Sequence, residues 1–153
     1  MSYTLATVES WYSLLRSTIA PRALLDTAQR RKLPALGIVD RATTLGHVPV
    51  AQAARDTGVH VAFGATLLLE DGHPLRILAR NETGYRNLCR LVSMQAQGLE
   101  RLPWQAVHDR RAGLYLLSGG RQAACGRPWP AATSASSGCW PDCRRSPSGT
   151  TSS

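Results

Sequence analysis

Residues 33–40 have the sequence LPALGIVD, a short apolar run that ends in a carboxylate. Apolar and polar residues do not alternate within it, which is typical of a strand buried on both faces of a parallel sheet. A helix is predicted on each side, over residues 20–32 and over about His47–Asp56, and Gly58 is expected to end the second helix. This alternation predicts an α/β fold with mostly parallel strands, which fits either a partial (β/α) barrel or a small doubly wound sheet.

The flanking sequence adds four further predicted strands and a third helix. Asp71-Gly72 is a strong tight-turn signal, so it predicts a hairpin that returns the chain through the following strand. The third helix is expected from about Thr83 to Gln97. The four strands are predicted at Tyr3–Val8, Val59–Leu69, Leu75–Ala79 and Gly113–Leu117.

Length and composition limit the class of protein. The chain has 153 residues, of which 43% are hydrophobic and 18% charged, so we expect a globular core and exclude disorder throughout. No apolar run approaches the ~18–20 residues that a membrane span needs, so no membrane partner is expected. The N-terminus has neither a basic start nor a long apolar stretch, which predicts a cytoplasmic protein without a secretory signal.

The composition changes near residue 120. Residues 121–153 contain no Leu, Ile, Val, Met, Phe or Tyr. Such a segment cannot bury enough apolar surface to offset the entropy lost on ordering, so it is predicted to be disordered. We therefore expect a folded part at residues 1–120 and a tail at residues 121–153. A frame-shifted end is favoured for this tail over a natural low-complexity segment.

The net charge of +8 raises the question of a nucleic-acid partner. Seventeen of the 18 basic residues are Arg, and the sole lysine is Lys32. A basic protein attracts nucleic acid nonspecifically. The charges are scattered, however, with no run longer than Arg30-Arg31-Lys32, and no strip of aromatic and basic residues is evident. A basic nucleic-acid-binding module therefore remains a disfavoured alternative.

Several stretches together resemble the PHP (polymerase and histidinol phosphatase) domain that opens bacterial replicative and error-prone DNA polymerases. The most specific is NETGYRNL at residues 81–88, since Asn-x-x-Gly-Tyr-x-Asn-Leu is typical of the polymerase branch. The other stretches are residues 12–15, 33–40, 58–65 and the final strand with Ser118-Gly119-Gly120. The resemblance implies a distorted (β/α) barrel. Because a complete barrel takes ~250 residues, residues 3–120 would supply only its first half.

The resemblance also implies a metal site, and this sequence departs from it. Active family members bind divalent metals such as Zn or Mn through His, Asp, Glu and Cys. Only Glu9 would still be a good ligand, because Thr is a poor one and Arg and Met do not suit such a site. We therefore expect a degenerate site and no metal cofactor. The seven positions carry Thr7, Glu9, Arg16, Arg41, Thr66, Met94 and Gly120.

These substitutions favour a structural function over an enzymatic one. The first interpretation is a truncated N-terminal PHP fragment, a scaffold for a larger polymerase subunit in DNA replication or repair synthesis. Its partner would be the remainder of that subunit, and DNA would be contacted only indirectly. The alternative is a stand-alone PHP-type phosphoesterase or exonuclease. The four histidines do not fall at ligand positions and are interpreted as surface or hydrogen-bonded residues: His47, His60, His73 and His108.

Two arginines could replace the missing cations structurally. Glu9 and Asp40 are expected at the C-terminal ends of neighbouring strands, where such barrels place their sites. A guanidinium between two carboxylates would supply positive charge and bidentate hydrogen bonds. We therefore hypothesise that Arg41, and with less support Arg16, pairs with Glu9 or Asp40.

Overall fold

The computed structural model describes residues 3–117, which contain one five-stranded sheet in the order β1-β2-β3-β4-β5. The prediction for residues 121–153 concerns residues outside this range. In chain order the elements are β1 (Leu5–Val8), α1 (Pro21–Arg30), β2 (Ala35–Arg41), α2 (His47–Thr57), β3 (His60–Leu68), β4 (Pro74–Ala79), α3 (Glu82–Ala96), α4 (Trp104–Asp109) and β5 (Leu114–Leu117).

The strand directions confirm the predicted α/β class. β1, β2 and β3 are parallel neighbours, whereas β4 is antiparallel to both β3 and β5, so four of the five strands run the same way. The reversal lies at the predicted hairpin. There Gly72 has a φ of 81°, which glycine adopts readily, and its N–H donates to the Leu69 carbonyl oxygen at 2.8 Å.

The helices also match the predictions, with one addition. α2 ends at Gly58, whose φ of 70° is the left-handed conformation expected of a glycine C-cap. α4 was not among the predicted elements. It has six residues, too few for a helical periodicity in the sequence, and it forms because Ala106 and Val107 are buried. No helix within residues 3–117 combines the length and apolar character needed to cross a membrane.

Two hydrophobic clusters form the core. The N-terminal cluster packs α1 and α2 against β2 and consists of Leu24, Leu25, Ala28, Leu33, Leu36, Ile38, Val50, Ala53 and Val59. The C-terminal cluster packs α3 and α4 against β3 and β4 and consists of Ala65, Leu67, Leu69, Leu75, Ile77, Leu88, Leu91, Val92, Leu102, Ala106 and Val107.

The motif at residues 81–88 fastens α3 to the turn before β5. Asn81 caps the helix, since its side-chain oxygen accepts a hydrogen bond from the Gly84 N–H at 2.9 Å. Asn87 donates to the carbonyl oxygen of Ala112 at 3.0 Å. A Cβ at position 84 would overlap the backbone of Gly113, so this contact requires glycine. The motif therefore packs α3 against the turn that leads into β5.

Candidate functional site

A fully buried carboxylate lies at the end of β2. Asp40 is 0% exposed, and its two oxygens accept three hydrogen bonds from the segment that follows β1. The Ser10 N–H donates at 2.7 Å, the Ser10 hydroxyl at 2.7 Å and the Ser13 hydroxyl at 2.8 Å. A buried charge is tolerated only when it is hydrogen-bonded, and these donors meet that need. Asp40 thus fixes the β1–α1 loop to the sheet.

The surroundings of Asp40 are closely fitted. The Ser13 hydroxyl oxygen also accepts a hydrogen bond from the Arg41 N–H at 3.1 Å. A Cβ at Gly46, just before α2, would lie 2.7 Å from an Asp40 side-chain oxygen. Across residues 3–117, every buried polar side-chain atom has a hydrogen-bond partner. The Asp40 carboxylate is therefore satisfied by protein donors.

Strand register separates Asp40 from Arg41. In the β2–β3 pairing Asp40 aligns with Ala65 and Arg41 aligns with Thr66. Ala65 belongs to the C-terminal core cluster, so the Asp40 side chain lies on the helix-covered face of the sheet. Successive side chains of a strand point to opposite faces, so Arg41 lies on the other face.

Glu9 and Arg16 form an ion pair beside this loop. The Nε of Arg16 lies 3.2 Å from the Oε2 of Glu9, and the two side chains are 51% and 20% exposed. An exposed pair of this kind contributes only ~0–1 kcal/mol. The pair does place one positive charge against the only position of the implied metal set that still carries a carboxylate.

Arg41 does not take the hypothesised position. Its side chain is exposed, and within the described range it forms no ion pair with Glu9, Asp40 or any other carboxylate. The physical reason is the strand alternation, because Asp40 lies on the opposite face and Glu9 already has Arg16. Of the two arginines considered, the structure brings only Arg16 to a carboxylate.

The other positions at which the family resemblance implies metal ligands differ from one another in their surroundings. Thr7 is exposed on β1. Thr66 is buried, and its hydroxyl donates to the Val39 carbonyl oxygen at 3.0 Å. Met94 packs against the C-terminal core cluster. Gly120 lies outside the described residues.

These side chains do not fit a metal cluster. Within residues 3–117, no group of three or more His, Cys, Asp or Glu side chains is placed to hold an ion. Guanidinium groups cannot act as ligands, a thioether suits only soft metals, and the Thr66 hydroxyl is engaged with backbone. The side chains that the structure describes at these positions therefore do not fit the divalent metals implied by the family resemblance.

His47 is a buried histidine at the start of α2. Its Nε2 lies 3.0 Å from the Gly64 carbonyl oxygen, and its Nδ1 lies 3.2 Å from the Tyr85 hydroxyl. A carbonyl oxygen can only accept, so Nε2 carries the hydrogen and the neutral Nδ1 accepts from Tyr85. Burial lowers the pKa of His47 from its ordinary value of 6.5, although the Gly64 contact and the charge of Asp40 oppose this shift.

The His47 contacts join the two halves of the core. The Phe63 ring lies 5.0 Å from the His47 ring, and the Tyr85 ring lies 5.7 Å from it. Burial, together with the neighbouring Cys89, raises the pKa of Tyr85. The other three histidines are not fully buried. No pattern in the sequence distinguishes His47 from them, because its burial depends on contacts with Phe63, Gly64 and Tyr85, which are distant in the chain.

The fold and the candidate site together are typical of domains of the (β/α)-barrel type. Parallel strands whose C-terminal ends carry the polar loops are the architecture of (β/α)-barrel domains. Comparison with family models then identifies the family, since the PHP domain model matches residues 7–141. The chain belongs to the PHP domain family. The match extends beyond residue 120, where the composition changes.

The similar curated proteins are bacterial DNA polymerases. The chain is 35% identical over 129 residues to the DNA polymerase III subunit alpha of Caulobacter vibrioides, covering 74% of this chain and 11% of that protein. It is 37% identical over 83 residues to the error-prone DNA polymerase of Pseudomonas syringae pv. tomato, covering 54% and 8%. The resemblance to the PHP region of these polymerases is confirmed. The chain spans about a tenth of their length.

Solved structures share the fold. A protein described as a metal-dependent phosphoesterase from Bifidobacterium adolescentis superposes with a TM-score of 0.50 at 18% identity, over 63% of this chain and 34% of that one. An amidohydrolase from Chromobacterium violaceum, described with bound sulfate and no metal, superposes with a TM-score of 0.51 at 21% identity, over 62% and 34%. At these identities the likeness concerns the fold alone.

The first prediction concerns the buried carboxylate. Asp40→Asn keeps the shape but replaces one acceptor oxygen by an N–H₂ group that faces donors. We expect the free energy of unfolding to fall by about 1–3 kcal/mol, measured by urea denaturation. Glu100→Gln, which removes an exposed carboxylate, is the control and should change it by less than about 0.5 kcal/mol. Equal stabilities of both variants would contradict the assigned role of Asp40.

The second prediction concerns pH and His47. Because the folded-state pKa lies below 6.5, the unfolded chain binds a proton more readily as the pH falls through that value. As the pH is lowered from 6.5 to the folded-state pKa, the free energy of unfolding should therefore decrease by up to about 1.4 kcal/mol per pH unit. Urea denaturation across this range measures the slope.

Two variants test whether His47 is the group that causes this pH dependence of stability. His47→Gln should flatten this part of the pH profile, because the titrating ring is gone. His60→Gln, which changes an exposed histidine, should keep the slope. A slope that survives in His47→Gln would assign the pH dependence to other groups.

Proposed function

We propose that this chain is a structural PHP region of a bacterial DNA polymerase of the replicative alpha or error-prone type, without metal-dependent hydrolysis of its own. The observation that carries the proposal is the set of side chains at the implied ligand positions. Arg16 and Arg41 stand at two positions where the family resemblance implies metal ligands, Thr66 donates to backbone, and Met94 packs against the C-terminal core cluster. This arrangement supports a scaffold.

The open edges of the sheet support a role within a larger protein. β1 and β5 each have one strand neighbour within residues 3–117, and both carry exposed apolar side chains, Leu5 and Tyr115. Unpaired strand edges favour further pairing. The partner in this proposal is the remainder of a polymerase catalytic subunit, with DNA contacted only through it, in the cytoplasm. The alternative is a stand-alone phosphoesterase of the same family.

The enzymatic alternative is tested directly. We expect the purified full chain to hydrolyse neither phosphomonoesters nor phosphodiesters above background when Mn²⁺ or Zn²⁺ is supplied, since no group of three or more His, Cys, Asp or Glu side chains within residues 3–117 is placed to hold such an ion. Elemental analysis should find less than one metal ion per chain. Stoichiometric metal, with hydrolysis that is lost on chelation and in Glu9→Gln but not in Glu100→Gln, would establish the phosphoesterase instead.

The proposed scaffold role is tested by a chimera in which a segment of this chain replaces the aligned segment of a polymerase. The matched N-terminal segment of the Caulobacter vibrioides DNA polymerase III subunit alpha is replaced by the aligned segment of this chain. We expect the chimera to retain primer extension, because a scaffold needs only the fold. The same chimera with Asp40→Asn should unfold at a lower temperature. A soluble, folded chimera without primer extension would contradict the proposal.

A further inference from the structure

An open groove with a volume of about 340 Å³ is lined by α2 and by the first half of β3. Sites that bind ligands are mostly lined by apolar side chains, and this volume is near the lower end of their size range. Except for Val59, the apolar lining residues are half-buried, so apolar atoms in the groove remain in contact with solvent. The apolar lining consists of Ala51, Ala54, Val59, Val61 and Phe63.

The groove is open on one side. Its other three lining residues, Arg55, Gly58 and His60, are exposed. A Cβ at Gly58 would meet no heavy atom within 4 Å, so the space beside this residue is free. A pocket for a small molecule encloses most of its ligand. This groove instead suits a chain segment that crosses it and places an apolar side chain inside.

The basic run Arg30-Arg31-Lys32 lies at the same end of the sheet as the groove. It ends α1 and leads toward β2, whose first residue Ala35 aligns with His60. The side-chain amide of Gln29 donates to the Thr57 carbonyl oxygen at 3.3 Å, which holds the end of α1 beside the end of α2. All three residues of the run are exposed.

The positive charge at this end of the sheet is not neutralised within residues 3–117. The carboxylates of α1 and α2, Asp26 and Asp56, both lie against Arg22, at 3.4 Å and 2.7 Å. Neither the basic run nor Arg55 forms an ion pair in this range. Each helix C-terminus carries roughly half a negative charge, so the two helix ends together offset only about one of these cations.

We propose that the groove and its basic rim, formed by Arg55, His60 and the run, bind an acidic peptide segment that carries an apolar anchor side chain. The anchor would leave water on entering the groove, while the flanking carboxylates would meet guanidinium and ammonium groups. Nucleic acid fits less well, because bases stack on exposed aromatic rings and the Phe63 ring in the lining is half-buried.

This surface is separate from the implied metal positions. Ala35 and Arg41 are the first and last residues of β2, so roughly 20 Å of strand separates the two ends. The peptide proposal therefore does not depend on the scaffold role, and its test does not use polymerase activity.

Peptide binding is measured by the fluorescence anisotropy of a short labelled peptide that is titrated with the full chain. In this peptide, glutamates flank a central leucine-phenylalanine pair. We expect binding that weakens as salt is added, because the charges involved are exposed. Replacing the central pair by serines should weaken binding by about tenfold or more, the value of a buried apolar side chain. Replacing the glutamates by glutamines should also weaken it by about tenfold, because several charge contacts are lost together.

Two pairs of matched variants locate the site on the protein. Ala51→Leu fills the groove and should weaken binding by about tenfold, whereas Ala23→Leu, at an exposed position of α1, should change it by less than about twofold. Arg55→Gln should weaken binding by about threefold to fivefold, the upper range for an exposed charge pair. Arg90→Gln removes an exposed charge from α3 and should change it by less than about twofold.

Several results would overturn the proposal. These are the absence of binding at low salt, equal binding of the serine or glutamine peptide, and equal affinities of Arg55→Gln and Arg90→Gln. If Ala51→Leu does not fold, the serine peptide still tests the groove, because it changes only the ligand. A single-stranded oligodeoxynucleotide that binds more tightly than the peptide, displaces it and is weakened by Arg55→Gln would assign the surface to nucleic acid instead.

Discussion

The carboxylate of Asp40 is the constraint on which the site region depends. It is fully buried, and it needs hydrogen-bond donors because an unpaired buried charge is strongly unfavourable. Ser10 and Ser13 supply these donors and so hold the loop after β1 against the end of β2. The loop is closed at its far side by the Trp11 N–H, which donates to the Ile19 carbonyl oxygen at 3.0 Å. Arg16 is carried on this loop, and its contact with Glu9 follows from the position of the loop.

A second polar connection sets the relation between the two core clusters. α2 packs in the N-terminal cluster and α3 in the C-terminal cluster, and His47 joins them by contacting Tyr85 and the Gly64 carbonyl oxygen. Apolar packing is non-directional, so it allows helices to slide. Hydrogen bonds with defined partners do not. His47 therefore ties the start of α2 to Tyr85 of α3 and to the Gly64 carbonyl oxygen of β3, and its neutral form is the one that the buried position favours.

Strand alternation explains why the end of β2 carries a structural residue on one face of the sheet and a charged residue on the other. Asp40, on the helix-covered face, stabilises the fold through its three hydrogen bonds. Arg41 and Thr66 lie on the opposite face, where the resemblance to the PHP family implies metal ligands. Neither core cluster includes Arg41 or Thr66, although Thr66 is buried and donates to the Val39 carbonyl oxygen.

The sequence by itself determined the elements, because their signals are local. The apolar run at residues 33–40, the Asp71-Gly72 turn and the glycine at residue 58 specify a buried strand, a hairpin and a helix end through backbone preferences and periodicity alone. The motif at residues 81–88 indicates the family because its residue types and spacing are specific in themselves. α4 was not predicted because six residues carry no clear period.

Only the tertiary structure decided which side chains meet. The donors to Asp40 lie 27 and 30 residues away in the chain, and no local pattern pairs them. The hypothesis was that Arg41, and with less support Arg16, pairs with Glu9 or Asp40. The structure pairs Arg16 with Glu9, whereas strand alternation places the Arg41 side chain on the face opposite Asp40. His47 became a core residue only when α2 packed beside Tyr85. Contacts between distant residues depend on register and packing, and these form when the whole sheet is assembled.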